Sequence, residues 1–299
     1  MILDIVIHNN ERFLAADEAL RRANPPVEKC ELGFRTWVGK IAPDLGKAVM
    51  NLADSTCIGT MTPVRQFSHL YGFVRELGDE APFATWDEDH SLKNCVALSR
   101  LIHPTSTGYR YAARVRTDGD GKPTQLCRAE ISGINIDAHV SPSHPRDWLS
   151  QDDGRELSLL IPVWRFIVLP ARVSNALWYH EYVFRTWFAD VRWTLVCAAL
   201  EALLNTDEFG NKRQFVARSG ALATELGLEF SNADAITAWG VRSKLAHGEA
   251  FLHSLPQGEL RIYDQMEAIL RGCIARSIRD AGFAAIFTDA ASVRARWPV

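Results

Sequence analysis

The amino-acid sequence predicts an α+β N-terminal region followed by an all-α helical bundle. The N-terminal region holds two strand-like segments, 109–116 and 125–131, on either side of a turn-forming run. The C-terminal part contains a long stretch without proline or glycine, residues 174–204, and helical spacing of apolar residues after it. Because strands and helices group in different parts of the chain, we expect two domains, 1–173 and 174–290.

Composition excludes several classes of protein. The 299 residues are 47% hydrophobic and 23% charged, values typical of a folded globular protein. A net charge of −3 argues against a protein that coats nucleic acid by neutralising phosphates. The six cysteines form no Cys-X-X-Cys pair, and no signal peptide or run of ~20 apolar residues is present. We therefore expect a cytoplasmic protein with reduced thiols and no membrane contact.

The N-terminal region begins with helical patterns. A helix is predicted over residues 11–23, because Pro25 and Pro26 follow and proline cannot continue a helix. A second helix is predicted from Pro63 to Leu77, where apolar residues recur at helical spacing.

A β-hairpin is the clearest short-range prediction. Residues 118–123 combine aspartate, glycine and proline, which accept turn conformations, between the two strand-like segments. The apolar run 157–169 ends at Pro170 and fits either a strand or a buried helix.

Three weaker groupings have a structural interpretation. His139 and His144 lie near Asp137 and Asp147, but their spacing matches no metal-ligand pattern, which indicates a solvated loop. His180-Glu181 lacks the second histidine of a zincin helix. Three aromatic residues are interpreted as bundle core rather than as a base-stacking platform: Trp187, Phe188 and Trp193.

The C-terminal part reads as successive helices. Residues 174–204 predict one long helix, or two stacked end to end. Further helices are predicted over 212–226, 232–247 and 259–280. Their short connections favour antiparallel neighbours in a bundle.

A compact basic motif stands at the end of the predicted helix 232–247. It reads Arg-Ser-Lys-Leu-Ala-His-Gly over residues 242–248, and an earlier helix carries Ala-Leu-Glu-Ala-Leu-Leu over 199–204. The planar fork of arginine matches phosphate oxygens, and histidine, with an ordinary pKa of ~6.5, serves as acid or base near neutral pH. These residue types suffice for RNA cleavage by transesterification, and no metal or cofactor is required.

The same motifs resemble the HEPN domains, and among them the Apea-like branch. The resemblance covers about residues 175–287 and rests on 199–204, on Phe215-X-X-Arg218 and on 241–248. It implies a HEPN-type bundle and a metal-independent endoribonuclease that acts as a dimer, with the cleft at the subunit interface. A toxin or an antiviral defence effector is the biological setting that it implies.

The resemblance also implies roles for individual residues. The implied catalytic residues are Arg242, Ser243, His247 and Glu201. Lys244 and Arg218 are the predicted substrate-binding residues. RNA is the expected substrate, a homodimer through the C-terminal bundle is the expected assembly, and a trigger or antitoxin is expected to act on the N-terminal domain. The sequence departs from the family pattern at Gly240, after the aromatic Trp239.

Helix geometry constrains this site and leaves a second interpretation open. Five residues correspond to about 140° of rotation, so Arg242 and His247 cannot share one face of a regular helix. Gly248 suits the left-handed position beyond a helix end, which puts His247 at the C-cap. In the alternative, Arg242 only pairs with Glu201, His247 only caps the helix, and the bundle is a non-catalytic RNA- or nucleotide-binding dimerisation module.

Overall fold

The computed structural model describes most of the chain: residues 1–8, 16–56, 71–77, 92–108, 112–129, 138, 140–141, 143–207, 209–248 and 256–299. The chain divides into two compact units. Unit 1 comprises Met1–Val140 and His144–Arg165, and unit 2 comprises Ser141–Ser143 and Phe166–Val299. The division therefore falls after Arg165 rather than after residue 173, and unit 2 extends past residue 290 to the end of the chain.

Unit 1 contains a six-stranded sheet. The strands are β1 (Ile2–His8), β2 (Lys29–Gly33), β3 (Thr36–Lys40), β4 (Tyr71–Leu77), β5 (Ala112–Thr117) and β6 (Pro123–Ala129). Their order is β2-β3-β4-β1-β5-β6, and all neighbouring strands are antiparallel. Every residue of β1 is buried, so the first strand of the chain lies in the interior of the sheet.

Helices pack against this sheet. The unit also contains the short helix α1 (Glu18–Ala23), which has no buried residue; the helices on the sheet are α2 (Pro43–Thr56), α3 (Leu92–Ile102) and α4 (Gln151–Trp164). Helix α2 packs on β5 and β6, and α3 packs on β4. A core cluster joins alternate residues of β1, including Ile5 and Ile7, to Leu45 and Val49 of α2. The period of two along β1 thus directs one apolar face toward a helix.

The predicted helix from Pro63 to Leu77 is wrong over its described part. Residues 71–77 form β4, which pairs with β1 on one side and β3 on the other, and residues 63–70 lie outside the described residues. Phe73 and Val74 are fully buried on opposite faces, as a strand requires. Apolar residues at 73, 74 and 77 also fit a helical period. The segment forms a strand because β1 and β3 hydrogen-bond to it on both sides.

The other predictions for unit 1 have clear outcomes. The hairpin is confirmed, since β5 and β6 pair across the predicted turn. The open choice for 157–169 resolves to helix, because α4 extends to Trp164. Helix α1 begins at Glu18, capped by Asp17, and residues 11–15 of the predicted helix 11–23 lie outside the described residues.

Unit 2 is helical. Its helices are α5 (Ala171–Phe184), α6 (Ala189–Leu204), α7 (Asn211–Glu225), α8 (Asn232–Ala246), α9 (Gln257–Arg279), α10 (Ala281–Ala285) and α11 (Ala290–Arg296). Helices α7, α8 and α9 confirm the three predicted helices. Helices α5 and α6 pack side by side, so 174–204 is neither one helix nor two stacked end to end.

The aromatic residues of the α5–α6 region separate into two environments. Trp193 is fully buried and donates from its indole Nε1 to the Ala238 carbonyl at 3.2 Å, which ties α6 to α8. Trp187 is 71% exposed and Phe188 is 51% exposed. The prediction of a buried core is therefore confirmed for Trp193 and wrong for the other two, which lie at the turn between the helices.

Candidate functional site

Helix α8 carries the basic motif, and both of its ends are defined by local chemistry. A capping box opens it, in which Ser231 and Asp234 each accept the other's backbone N–H at 3.1 Å. At the other end the His247 N–H donates to the Ser243 carbonyl at 3.1 Å. Gly248 follows at φ +69°, the left-handed conformation that glycine accepts without strain. The predicted position of His247 at the C-cap is confirmed.

Arg242 of α8 reaches the carboxylate of Glu201 on α6. Its Nε lies 2.8 Å from Oε1, and its Nη2 donates to Oε2 at 3.2 Å. The arginine side chain is 31% exposed and the glutamate side chain 16%. Burial raises the pKa of the Glu201 carboxyl above its ordinary value, and the charge of Arg242 opposes that shift. The two residues form a two-point ion pair at the edge of the bundle.

An aromatic ring supports the guanidinium from a second side. Arg242 Cζ lies 5.2 Å from the centre of the Trp239 ring, within the range of a cation–π contact. Trp239 in turn packs on Phe215 of α7, with ring centres 5.5 Å apart. Three helices thus hold the orientation of Arg242, while part of its side chain stays open to solvent.

The remaining residues of the motif lie toward the end of α8. His247 is exposed, and the structure brings no described acidic or basic side chain into hydrogen-bond contact with its imidazole. Ser243 is half-buried and Lys244 is exposed. The structure therefore brings Glu201 and Arg242 together, and it leaves His247 and Lys244 on the surface of the same helix end.

This arrangement leaves hydrogen-bond donors on Arg242 for a ligand. A guanidinium has five N–H donors; Glu201 accepts a hydrogen bond from Nη2, and its Oε1 forms an ion pair with Nε at 2.8 Å. The two donors on Nη1 can bind the oxygens of a phosphate or carboxylate. An anion bound there would compete with Glu201 for the same positive charge.

Arg218 belongs to the interior of unit 2. It is 2% exposed, and its Nε donates to the Trp297 carbonyl at 2.9 Å. Its Nη1 donates to the Leu204 carbonyl at 2.6 Å and to the Gln214 side chain at 2.8 Å. These bonds join the ends of α6 and α11 to α7. We therefore assign Arg218 to the fold of the bundle rather than to the substrate surface that the sequence suggested.

The cysteine next to the site is not prepared for nucleophilic chemistry. Cys197 precedes Glu201 by one turn of α6 and is fully buried. Burial raises the pKa of its thiol well above the ordinary value, so the thiol stays protonated at neutral pH.

Unit 1 holds a buried polar cluster that the sequence did not reveal. Asp147 is buried and accepts from the Ser106 N–H at 2.6 Å, and its own carbonyl contacts His8 Nε2 at 3.0 Å. The interpretation of a solvated loop is therefore wrong for Asp147, while His139 and Asp137 lie outside the described residues. Buried Tyr71 packs its ring on His8. No motif marks this cluster, because long-range contacts bring its residues together.

Two general features of the described residues bear on ligands. Within the described ranges, the His, Cys, Asp and Glu side chains form no group of three or more that could hold a metal ion. Among the described helices, none combines the length and the apolar character needed to cross a membrane.

Comparisons with known proteins found no matching family model, no matching curated protein and no matching solved structure.

Proposed function

We propose that this chain is a metal-independent endoribonuclease of the HEPN class, with its reactive residues at the C-terminal end of α8. The observation that carries the proposal is the half-exposed Arg242, oriented by Glu201 and Trp239 and keeping Nη1 donors for a phosphate. His247, on the same helix end, supplies an exposed imidazole. RNA is the proposed substrate, and a toxin or antiviral defence effector is the proposed setting.

The proposed reaction is transesterification. A base removes the proton of the ribose 2′-OH, and the 2′-oxygen attacks the adjacent phosphorus. The bond from phosphorus to the 5′-oxygen breaks, and an acid protonates that oxygen. The products are a 2′,3′-cyclic phosphate and a 5′-hydroxyl. The phosphorane between these states carries additional negative charge, which a fixed guanidinium stabilises.

Each residue of the motif has a part in this proposal. His247 is the acid or base, and Arg242 binds the reacting phosphate. Glu201 acts through Arg242 as a positioning residue, because it fixes the guanidinium from the side opposite the free donors. Ser243 and Lys244 keep the roles that the resemblance implies, Ser243 in catalysis and Lys244 in substrate binding. Unit 1 is the proposed place where a trigger or antitoxin acts.

The single histidine of the motif, His247, cannot be both acid and base in the same step. A homodimer through the helical unit supplies a second Arg242 and a second His247, so that one imidazole takes the proton and the other donates one.

A non-catalytic role is the second candidate, and a specific observation favours it. Catalytic histidines are commonly oriented by a partner on the second ring nitrogen, and no described side chain does this for His247. In this role Arg242 binds RNA or a nucleotide, and the chain serves as a dimerisation module.

The test is RNA cleavage by the full chain in the presence of a chelator. We expect wild type to cleave, and Arg242→Ala and His247→Ala to lower the rate by about 10²–10³. Arg213→Ala removes an exposed arginine on α7 and is the matched control. Equal rates in wild type and the two motif variants would contradict the proposal.

A further inference from the structure

The hairpin between β2 and β3 in unit 1 is closed by two residues in a backbone conformation that their side chains disfavour. Gly33 pairs with Thr36, so the connection consists of Phe34 and Arg35 alone. Both residues have positive φ, 53° for Phe34 and 56° for Arg35, and no other described residue except glycine does. Positive φ at both central positions is the arrangement of a type I′ turn, for which Asn-Gly is the preferred pair. A bulky aromatic residue and an arginine therefore stand where their own preference opposes them.

The fold does not require these two side chains. Asparagine and glycine at the same positions would close the hairpin with less strain. Phe34 is 43% exposed and Arg35 is exposed as well, so packing in the core does not select them. Backbone strain of this kind concentrates at binding and active sites, which makes the identity of the two side chains a pointer to a ligand.

The ring of Phe34 already takes part in a stack. Cζ of Arg165, the residue that follows α4, lies 3.7 Å from the centre of the ring, which is a close cation–π contact within unit 1. Arg165 is exposed and Phe34 is about half exposed, so the stack ends in solvent. Nucleobases stack on aromatic rings and on guanidinium planes alike. The pair therefore offers a flat surface that a base can extend.

Arg35 adds a second cation to the same turn. Its backbone carbonyl accepts from the Glu76 N–H at 2.9 Å, which ties the turn to the end of β4. Its side chain is exposed, and in the described part of the chain no carboxylate or carbonyl engages the guanidinium. All five N–H donors of Arg35 are thus available, and the planar fork of a guanidinium matches the oxygens of a phosphate.

We propose that these three residues, Phe34, Arg35 and Arg165, form a binding site for single-stranded nucleic acid, the β2–β3 tip. A base stacks on the pair of Phe34 and Arg165, and the phosphate beside that base binds Arg35. The strand must be single, because the faces of the bases are covered in a duplex. Unit 1 thereby has a nucleic-acid site of its own, which does not depend on the cleavage proposed for unit 2.

A nucleic-acid strand fits the β2–β3 tip better than a protein partner does. A standard protein interface buries roughly 800 Å² on each partner around an apolar centre. On the strand that leads to the turn, the exposed Lys29 and Glu31 pair at 3.0 Å, so the apolar surface does not extend beyond Phe34 on that side. A nucleic acid requires only a flat surface for a base and a cation for a phosphate, and the tip supplies both.

The experiment measures binding of a labelled 2′-O-methyl RNA strand of about ten nucleotides to the full chain by fluorescence anisotropy. The methyl group blocks cleavage, so binding is measured whether or not the chain is a nuclease. We expect Phe34→Asn to weaken binding about tenfold. We expect Arg35→Gly to weaken it about fivefold at 0.1 M salt and to lower the slope of log K against log salt by about 0.7. DNA of the same sequence, in a parallel titration, identifies which strand the tip prefers.

The same variants test the strain. Arg35→Gly keeps the ring of Phe34 and places glycine at a position with φ +56°, so we expect the Tm to rise by about 2–4 °C while binding weakens. Arg22→Ala, at an exposed arginine of α1, and Phe209→Asn, at an 86% exposed ring of unit 2, are the matched controls and are expected to bind like wild type.

A wild type that leaves the strand unbound at about 10⁻⁴ M protein would overturn the proposal. Equal binding by wild type and the two tip variants would also overturn it, because the strand would then bind elsewhere, for example at Arg242, and the proposed cleavage would be unaffected. A lower Tm for Arg35→Gly would contradict the strain. Binding of an oligoglutamate peptide in place of the oligonucleotide, lost in both tip variants, would assign the tip to an acidic protein segment instead.

Discussion

Two arginine–carboxylate pairs, one in each unit, have similar geometry and different surroundings. In unit 1, Arg114 and Asp4 face each other on β5 and β1, with Nε 2.6 Å from Oδ1 and Nη2 2.9 Å from Oδ2, and both side chains are buried. In unit 2, Arg242 and Glu201 meet at 2.8 and 3.2 Å with part of each side chain in solvent. A buried pair cannot exchange partners without unfolding. A half-exposed pair can, so the second pair is the one available to a ligand.

The largest expected effect is on the buried pair. Arg114→Ala leaves the Asp4 carboxylate in the sheet without its cation, and we expect the free energy of unfolding to fall by about 3–5 kcal/mol. Urea denaturation of the full chain measures this. The double variant Asp4→Val/Arg114→Met removes both charges and is expected to recover at least half of the loss. A cost for Arg114→Ala below about 1 kcal/mol would show that the pair behaves like a surface ion pair.

A second comparison concerns how much two arginines of unit 2, Arg218 and Arg242, contribute to the free energy of unfolding. Arg218→Met leaves the carbonyls of Leu204 and Trp297 without their donor, and we expect a loss of about 3 kcal/mol in the free energy of unfolding. Arg242→Met removes a partly exposed ion pair and is expected to cost less than about 1 kcal/mol. The reverse order in urea denaturation would mean that Arg242 is structural and Arg218 is not.

The pH dependence of stability gives a further test of the buried interior of unit 1. Burial, and then the charge of Arg146, lower the pKa of His103 to about 4, whereas the unfolded chain binds that proton near ~6.5. The unfolded state therefore holds more protons between these values, and His103 contributes stability above pH ~6.5 that is lost as the pH falls toward about 4.

The variant His103→Gln tests this linkage. We expect the loss of unfolding free energy between neutral pH and about pH 4 to be smaller in the variant by on the order of 2 kcal/mol. An equal loss in both proteins would contradict the assigned cause.

Local signals account for the parts of the fold that the sequence predicted well. The capping box of Ser231 and Asp234 and the left-handed Gly248 delimit α8, and both act within a few residues. The hairpin of β5 and β6 likewise depends on a short turn-forming run. The C-cap position of His247 follows from the same local chemistry.

Long-range contacts account for the rest. Strand β4 was predicted as a helix, because its apolar residues fit either period until β1 and β3 pair with it. The site shows the same limit. In the sequence, Arg218 and Arg242 both look like available cations. The bonds from Arg218 to the carbonyls of Leu204 and the distant Trp297 identify it as part of the buried structure. The sequence left open whether Arg242 pairs with Glu201, because that contact depends on how α6 packs on α8.

The most direct measurement is the chemical nature of the RNA ends that the full chain produces in the presence of a chelator. The proposed reaction predicts 2′,3′-cyclic phosphate and 5′-hydroxyl ends with wild type, reduced by about 10²–10³ in His247→Ala and Arg242→Ala, and unchanged in Arg213→Ala. RNA that is bound by wild type but not cut, or ends that form equally without His247, would contradict the endoribonuclease and leave the binding module as the function of this site.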